Sequence, residues 1–150
     1  MNFEESLISG HESEKIVLNI IKKKYPKAYI VEGYHKEYDI MIPEIDETVE
    51  VKKDFKYTGN VVVEIEMNNR PSGLMTTSAD WWVFHINEEE LIWMTPETIK
   101  EMIEEESFDP VEFIGKGDSI SKIAYLIPKM HFYLYCHKII NLQDKKDNLL

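Results

Sequence analysis

Thr48-Val49-Glu50-Val51-Lys52-Lys53 decides how the chain is read. Apolar and polar residues alternate over it, the period of a β-strand. Side chains two apart on a strand share a face, so Glu50 and Lys52 point one way and Val49 and Val51 the other. A carboxylate and an ammonium then stand side by side. Upstream lies Tyr38-Asp39-Ile40-Met41-Ile42-Pro43, a second short strand that carries Asp39 toward the same place. Two carboxylates on neighbouring strands can share a hard divalent cation, which prefers oxygen ligands. Lys52 would then stand beside a phosphate.

Working outward, Glu12 to Lys24 places Ile16, Val17, Leu18, Ile20 and Ile21 among charged residues, the pattern of an amphipathic helix that ends before Pro26. Strands are expected at Tyr29–Glu32, Glu37–Ile42, Thr48–Asp54 and Val61–Met67. On the last, Val61, Val63, Ile65 and Met67 would share one face and Glu64 and Glu66 the other. Leu74 to Ala79 suggests a short helix leading into the strand Trp81–Ile86, with Leu91–Met94 as its hairpin partner. Thr95 and Pro96 suit the cap and first position of a helix reaching Glu106. Val111–Ile114 and Ile123–Ile127 read as strands around a Gly115-Lys116-Gly117-Asp118 turn. Met130–Leu142 is open between helix and strand. The order predicts an α/β fold with a mixed central β-sheet flanked by helices, one domain over 1–143 and a polar tail over 144–150.

The order of a helical Glu, Asp39 and Glu50-Val51-Lys52 resembles the PD-(D/E)xK nuclease superfamily, over about residues 10 to 86. Gly10-His11-Glu12-Ser13-Glu14-Lys15 is similar to the first-helix pattern of its Holliday-junction resolvases, which carries the helical acid over to Glu14. Glu12 and His11 are the alternatives. Tyr38 stands where the motif's proline is usual. A second triplet, Asp54-Phe55-Lys56, lies on the same strand, but the valines around Glu50 place that residue nearer mid-sheet.

The resemblance implies a restriction-endonuclease-like core and a Mg²⁺- or Mn²⁺-dependent endonuclease. Its metal ligands would be Asp39, Glu50, Glu14 and the Val51 carbonyl, and its catalytic residues Asp39, Glu50, Lys52 and Glu14. The substrate would be a nucleic acid, DNA ahead of RNA, including branched recombination intermediates such as those of related phage-type enzymes. A resolvase use implies a homodimer. Arg70, Lys53 and Thr77 are the candidate substrate contacts; Thr77 belongs to the Ser72–Trp82 segment, rich in small hydroxylated residues that can donate to phosphate.

Blander readings stand beside these. Asp39 alone suits a turn hydrogen bond, Glu50 and Lys52 a solvated pair, Glu14 a surface helix acid, and Glu64 and Glu66 an exposed face. The net charge of −11, from 28 acidic and 17 basic residues, opposes simple nucleic-acid binding. It favours an alternative, a non-catalytic nucleic-acid- or protein-binding module that keeps the nuclease fold. The basic residues Lys22, Lys23, Lys53, Lys56 and Arg70 are expected to rim the Lys52 face. One cysteine, Cys136, excludes an internal disulfide and suits a reducing cytoplasm. No apolar run is long enough for a membrane span. Zinc is not expected, since His85, His131 and His137 lack ligand spacing with Cys136.

Overall fold

The computed structural model describes residues 3–34, 36–114 and 120–143, with side chains from Gly10 onward. The expected Gly115–Asp118 turn and the 144–150 tail lie outside the described residues.

Helix α1 runs from Phe3 to Lys22, and strands β1 (Tyr29–Ile30), β2 (Ile40–Ile42) and β3 (Glu47–Asp54) follow. Next come β4 (Asn60–Met67), β5 (Arg70–Pro71) and a 3₁₀ turn at Gly73–Met75. The hairpin β6 (Trp81–Ile86) and β7 (Glu90–Met94) leads into α2 (Pro96–Glu105). The chain continues with β8 (Val111–Ile114), β9 (Ser121–Pro128), α3 (Lys129–Tyr135) and β10 (Lys138–Asn141).

A six-stranded mixed sheet has the order β1-β2-β3-β6-β7-β10. Only β3 and β6 run parallel in it; every other neighbouring pair is antiparallel. Parallel neighbours need a long crossover. Here the crossover is β4, β5 and the 3₁₀ turn. β4 does not join the central sheet: it belongs to a separate antiparallel sheet, β5-β4-β9-β8. The crossover therefore passes over the face of β3 that carries Glu50 and Lys52, and so closes one side of the candidate site.

Two cores flank the central sheet. On one face Val17 and Ile21 of α1 pack with Ile40, Ile42, Val49, Val83 and Leu91. On the other, Trp82, Phe84, Ile86, Ile92 and Met94 meet Val61, Val63, Leu74 and Ile127, with Ile99 and Met102 of α2 and Phe132 of α3. The alternation on β6 supplies both faces, as its largely apolar sequence requires.

Several boundaries differ from the sequence reading. The first helix begins at Phe3, not near Glu12, so Gly10 is an interior helical residue; a Cβ there would meet nothing within 4 Å. The first two expected strands shorten to β1 and β2: residues 31–34 and 36–39 lie outside any strand, and the Val31 N–H donates to the Asp39 carbonyl at 2.8 Å. A bulge between Glu64 and Glu66 breaks the expected β4 alternation, and Met67 is exposed. The expected Leu74–Ala79 helix is only the short 3₁₀ turn. Met130–Leu142 divides between α3 and β10. The Thr95 cap is present: its side chain accepts from the Thr98 N–H.

Gly73 opens the 3₁₀ turn at φ +53, and a Cβ there would lie 2.3 Å from the Glu64 carbonyl oxygen. Backbone cannot retreat as a flexible side chain can. Gly73→Ala is expected to cost more than about 2 kcal/mol, from left-handed strain plus overlap; urea unfolding measures it.

Candidate active site

The site is built where β2 meets β3. Ile40 pairs with Val49, so Asp39 stands one step further, beside Glu50. Its backbone N–H donates to the Val49 carbonyl at 2.9 Å. Its carboxylate reaches across: Oδ2 accepts from the Val51 N–H at 2.7 Å. Asp39 is therefore pinned to the backbone between Glu50 and Lys52, with its side chain buried. Its turn-type hydrogen bond and a site role are compatible, because Oδ1 remains for another partner.

That partner is Lys36, which the sequence reading did not single out. Its Nζ lies 3.1 Å from Asp39 Oδ1, 3.1 Å from Glu14 Oε1 and 3.3 Å from the Val31 carbonyl oxygen. Glu14 thus belongs to the same cluster. It does not sit in the first helical turn, as expected, but well inside α1, where it is buried next to Ser13. The alternatives separate by helical phase: Glu12 and His11 are exposed. His11 Nδ1 lies 3.2 Å from Glu14 Oε2 as an ion-pair contact, and Oε2 is buried without a hydrogen bond.

Ser13 fixes the phase of the helix. Its Oγ is 2.7 Å from Nδ1 of the buried His85 on β6. This pair ties α1 to the central sheet one residue from Glu14.

Glu50 and Lys52 share the opposite face of β3 from Val49, as alternation requires. Lys52 Nζ is 3.6 Å from Glu50 Oε1 and 4.8 Å from the centroid of the Trp82 ring. Trp82 is nearly fully buried and donates its indole N–H to Thr77 Oγ1 at 3.0 Å. The Ala79 N–H donates to the same oxygen at 3.2 Å. With both acceptor positions used, the Thr77 hydroxyl proton is left to donate. A cavity of about 340 Å³ is bounded by Lys36, Glu50, Lys52, Trp82, Gly73 and the Thr76–Ser78 segment, with Glu37. A second depression, about 390 Å³, lies beyond Lys36 against His11, Glu14 and Tyr34. Lys36 borders both.

The electrostatics follow from crowding acids into a partly dry place. Burial, then the charge of Asp39, pushes Glu50 up to about 7, against the lowering by Lys52. Burial, then the adjacent Asp39 carboxylate, also raises Glu14, opposed by Lys36. Burial works to lower the Lys36 ammonium, but its bond to Glu14 and the charge of Asp39 raise it on balance. The Asp39 charge thus reaches both other acids.

A raised Glu50 has a consequence for stability. Between the ordinary carboxylate range and about 7 the folded protein holds a proton that the unfolded chain has lost. This contribution is complete below the unfolded pKa and is lost as pH rises through about 7. Apo wild type should therefore lose at most about 3 kcal/mol relative to Glu50→Gln between pH 5 and pH 8. Denaturant unfolding in a chelator checks it; a parallel pH dependence in the two proteins would contradict it.

Among the expected substrate contacts, Thr77 lines the cavity, and Arg70 and Lys53 do not. Lys53 points to the face of Val49 and Val51, with its Nζ 4.5 Å from the Phe55 ring centroid. Arg70 is exposed on β5, in the second sheet. Lys22, Lys23 and Lys56 are also absent from the cavity lining. Glu64 is engaged with Ser72, whose Oγ donates to Oε2 at 2.8 Å.

In comparisons with known proteins, the chain matches no family model, no curated protein and no solved structure. The site is therefore read from its own chemistry. Among the described residues, no three of His, Cys, Asp and Glu stand together as a metal-holding group. Two carboxylates and a carbonyl do converge on one positive charge, that of Lys36, and one buried carboxylate oxygen makes no hydrogen bond. Hard oxygen donors around a single cation suit Mg²⁺ or Mn²⁺ in type, with an ammonium as the cation they enclose in this structure. Among the described residues, no helix is long and apolar enough to cross a membrane.

Proposed function

We propose that the chain is a Mg²⁺- or Mn²⁺-dependent endonuclease of the PD-(D/E)xK kind, with α1 and the six-stranded sheet as a restriction-endonuclease-like core. The observation that carries this reading is that Glu14 and Asp39, joined through Lys36, lie next to the polar cavity that Lys36, Glu50 and Lys52 line. Glu14, Asp39, Glu50 and Lys52 come from three separate elements, and the motif order nominates the same four.

Asp39, Glu50 and Glu14, with the Val51 carbonyl, would hold the cation. Such a cation supplies Lewis-acid polarisation of the phosphate and a more acidic bound water. The protein's own groups do the rest. Lys52 faces the cavity from a fixed position on Trp82 and would neutralise charge that develops on the phosphate. Thr77 would donate to a phosphate oxygen from the opposite wall. Trp82 forms a dry floor that strengthens each of these interactions. The crossover segment Gly73–Ser78 limits access from one side.

DNA is the proposed substrate, and branched DNA the form most in keeping with the resolvase-like first helix. The test is incubation with four-way-junction DNA, linear duplex, single-stranded DNA and RNA, with Mn²⁺ or with chelator. Metal-dependent cleavage of at least one supports the reading. The net charge of −11 favours a second reading, a binding module without catalysis; binding of a substrate without cleavage in Mn²⁺ would select it.

A further inference from the structure

The group at the centre of the acid pair is not a ligand but a side chain of the chain itself. Lys36 Nζ has Glu14 Oε1 and Asp39 Oδ1 at 3.1 Å each, and the Val31 carbonyl oxygen at 3.3 Å. Two carboxylate oxygens and a carbonyl oxygen form the kind of shell that a hard cation takes. Two anions this close to one another repel unless a positive charge lies between them. Lys36 provides that charge from between β1 and β2, and its side chain borders both the Glu50–Lys52 cavity and the depression beside His11. A divalent ion held by the same two carboxylate oxygens would have to take the place of the ammonium.

We propose that Lys36 is the built-in countercation of the Glu14–Asp39 pair and competes directly with the divalent ion for it. The proposal rests on the metal-site reading above and adds a residue that sets the affinity of that site. With Lys36 in place one of the pair's two negative charges is offset, which helps both acids to stay buried in the apo protein. Divalent binding requires the ammonium to leave, so the measured affinity is weaker than the acids alone would give. Lys36 holds the pair in the apo state, whereas Lys52 faces the reacting phosphate.

Mn²⁺ binding followed by electron paramagnetic resonance tests this without any substrate. Lys36→Gln keeps a hydrogen-bonding side chain and removes the charge; it should bind Mn²⁺ at least about tenfold tighter than wild type, the scale of one well-placed charge. Lys36→Arg should stay near wild type. Equal or weaker affinity in Lys36→Gln would overturn the competition while leaving the metal site standing. Mn²⁺ bound by none of the three proteins would remove the metal site itself, and the competition with it. A second measurement uses only wild type, so that it survives misfolding of the variant. Acetylation of Lys36 by an amine-reactive ester, read by mass spectrometry, should rise several-fold on adding Mn²⁺, while lysines away from the site stay constant. No rise at Lys36 in Mn²⁺-bound protein would overturn the proposal.

Discussion

Lys52→Ala is expected to lower the rate of DNA cleavage by about 10²- to 10³-fold, the scale of losing one preorganised electrostatic donor. Mn²⁺ binding should be retained. The separation of the two effects follows from position. Lys52 sits 3.6 Å from Glu50 and lies over the Trp82 ring, facing the cavity and not the Glu14–Asp39 pair. Its loss removes charge where a phosphate would lie, and leaves the acids in place. The half-exposed side chain bears little of the fold's packing, so unfolding should be nearly unchanged. Single-turnover cleavage and Mn²⁺ titration of the same preparation separate the outcomes. A variant that loses metal and cleavage together would show that Lys52 organises the acids instead.

Asp39→Asn should act through the other half of the site. Cleavage is expected to fall by at least about 10³-fold, and Mn²⁺ affinity should fall with it, because a charged hard ligand becomes a neutral one. Asp39 has two oxygens with separate duties: Oδ2 takes the Val51 N–H and Oδ1 takes Lys36. Asparagine keeps one oxygen. It can preserve the bond to Val51 only by turning its amide nitrogen toward Lys36, which is a donor itself. A stability cost of about 1–3 kcal/mol follows from the mismatched partner. Chemical unfolding beside the cleavage assay would show it. Full activity with an intact fold would remove Asp39 from the reaction.

The fold was legible wherever one local period decided an element. The alternation of Thr48–Lys53 marks β3 and puts Glu50 and Lys52 on a common face. The apolar run Trp81–Ile86 with its turn marks the β6–β7 hairpin, and Thr95-Pro96 marks the start of α2. What was not legible depends on distant contacts. β4 has an unmistakable strand pattern, but nothing local says that it leaves the central sheet for β9. The bulge at Glu64–Glu66 is likewise a property of that pairing. The apolar pattern starts the first helix near Glu12, and glycine disfavours helix interiors by about 1 kcal/mol, yet α1 begins at Phe3 and runs through Gly10.

The candidate site divides in the same way. Asp39, Glu50, Lys52 and Glu14 carry a recognisable order along the chain. Lys36 carries none: it lies in a loop without periodicity, and its role appears only when α1 brings Glu14 to it. Lys53 could have been set aside from alternation alone, since it shares the face of Val49 and Val51. Thr77 reaches the cavity because the crossover between two parallel strands passes over it, which spacing does not reveal.

The most direct measurement of the central claim is cleavage of supercoiled plasmid by purified wild type in Mn²⁺, run beside chelator-treated wild type, Asp39→Asn and Lys52→Ala prepared identically. The account predicts nicked or linear product from wild type with Mn²⁺ alone, and none above background from the other three. Equal cleavage by wild type and the two variants, or none by a wild type that binds Mn²⁺ and DNA, would contradict it.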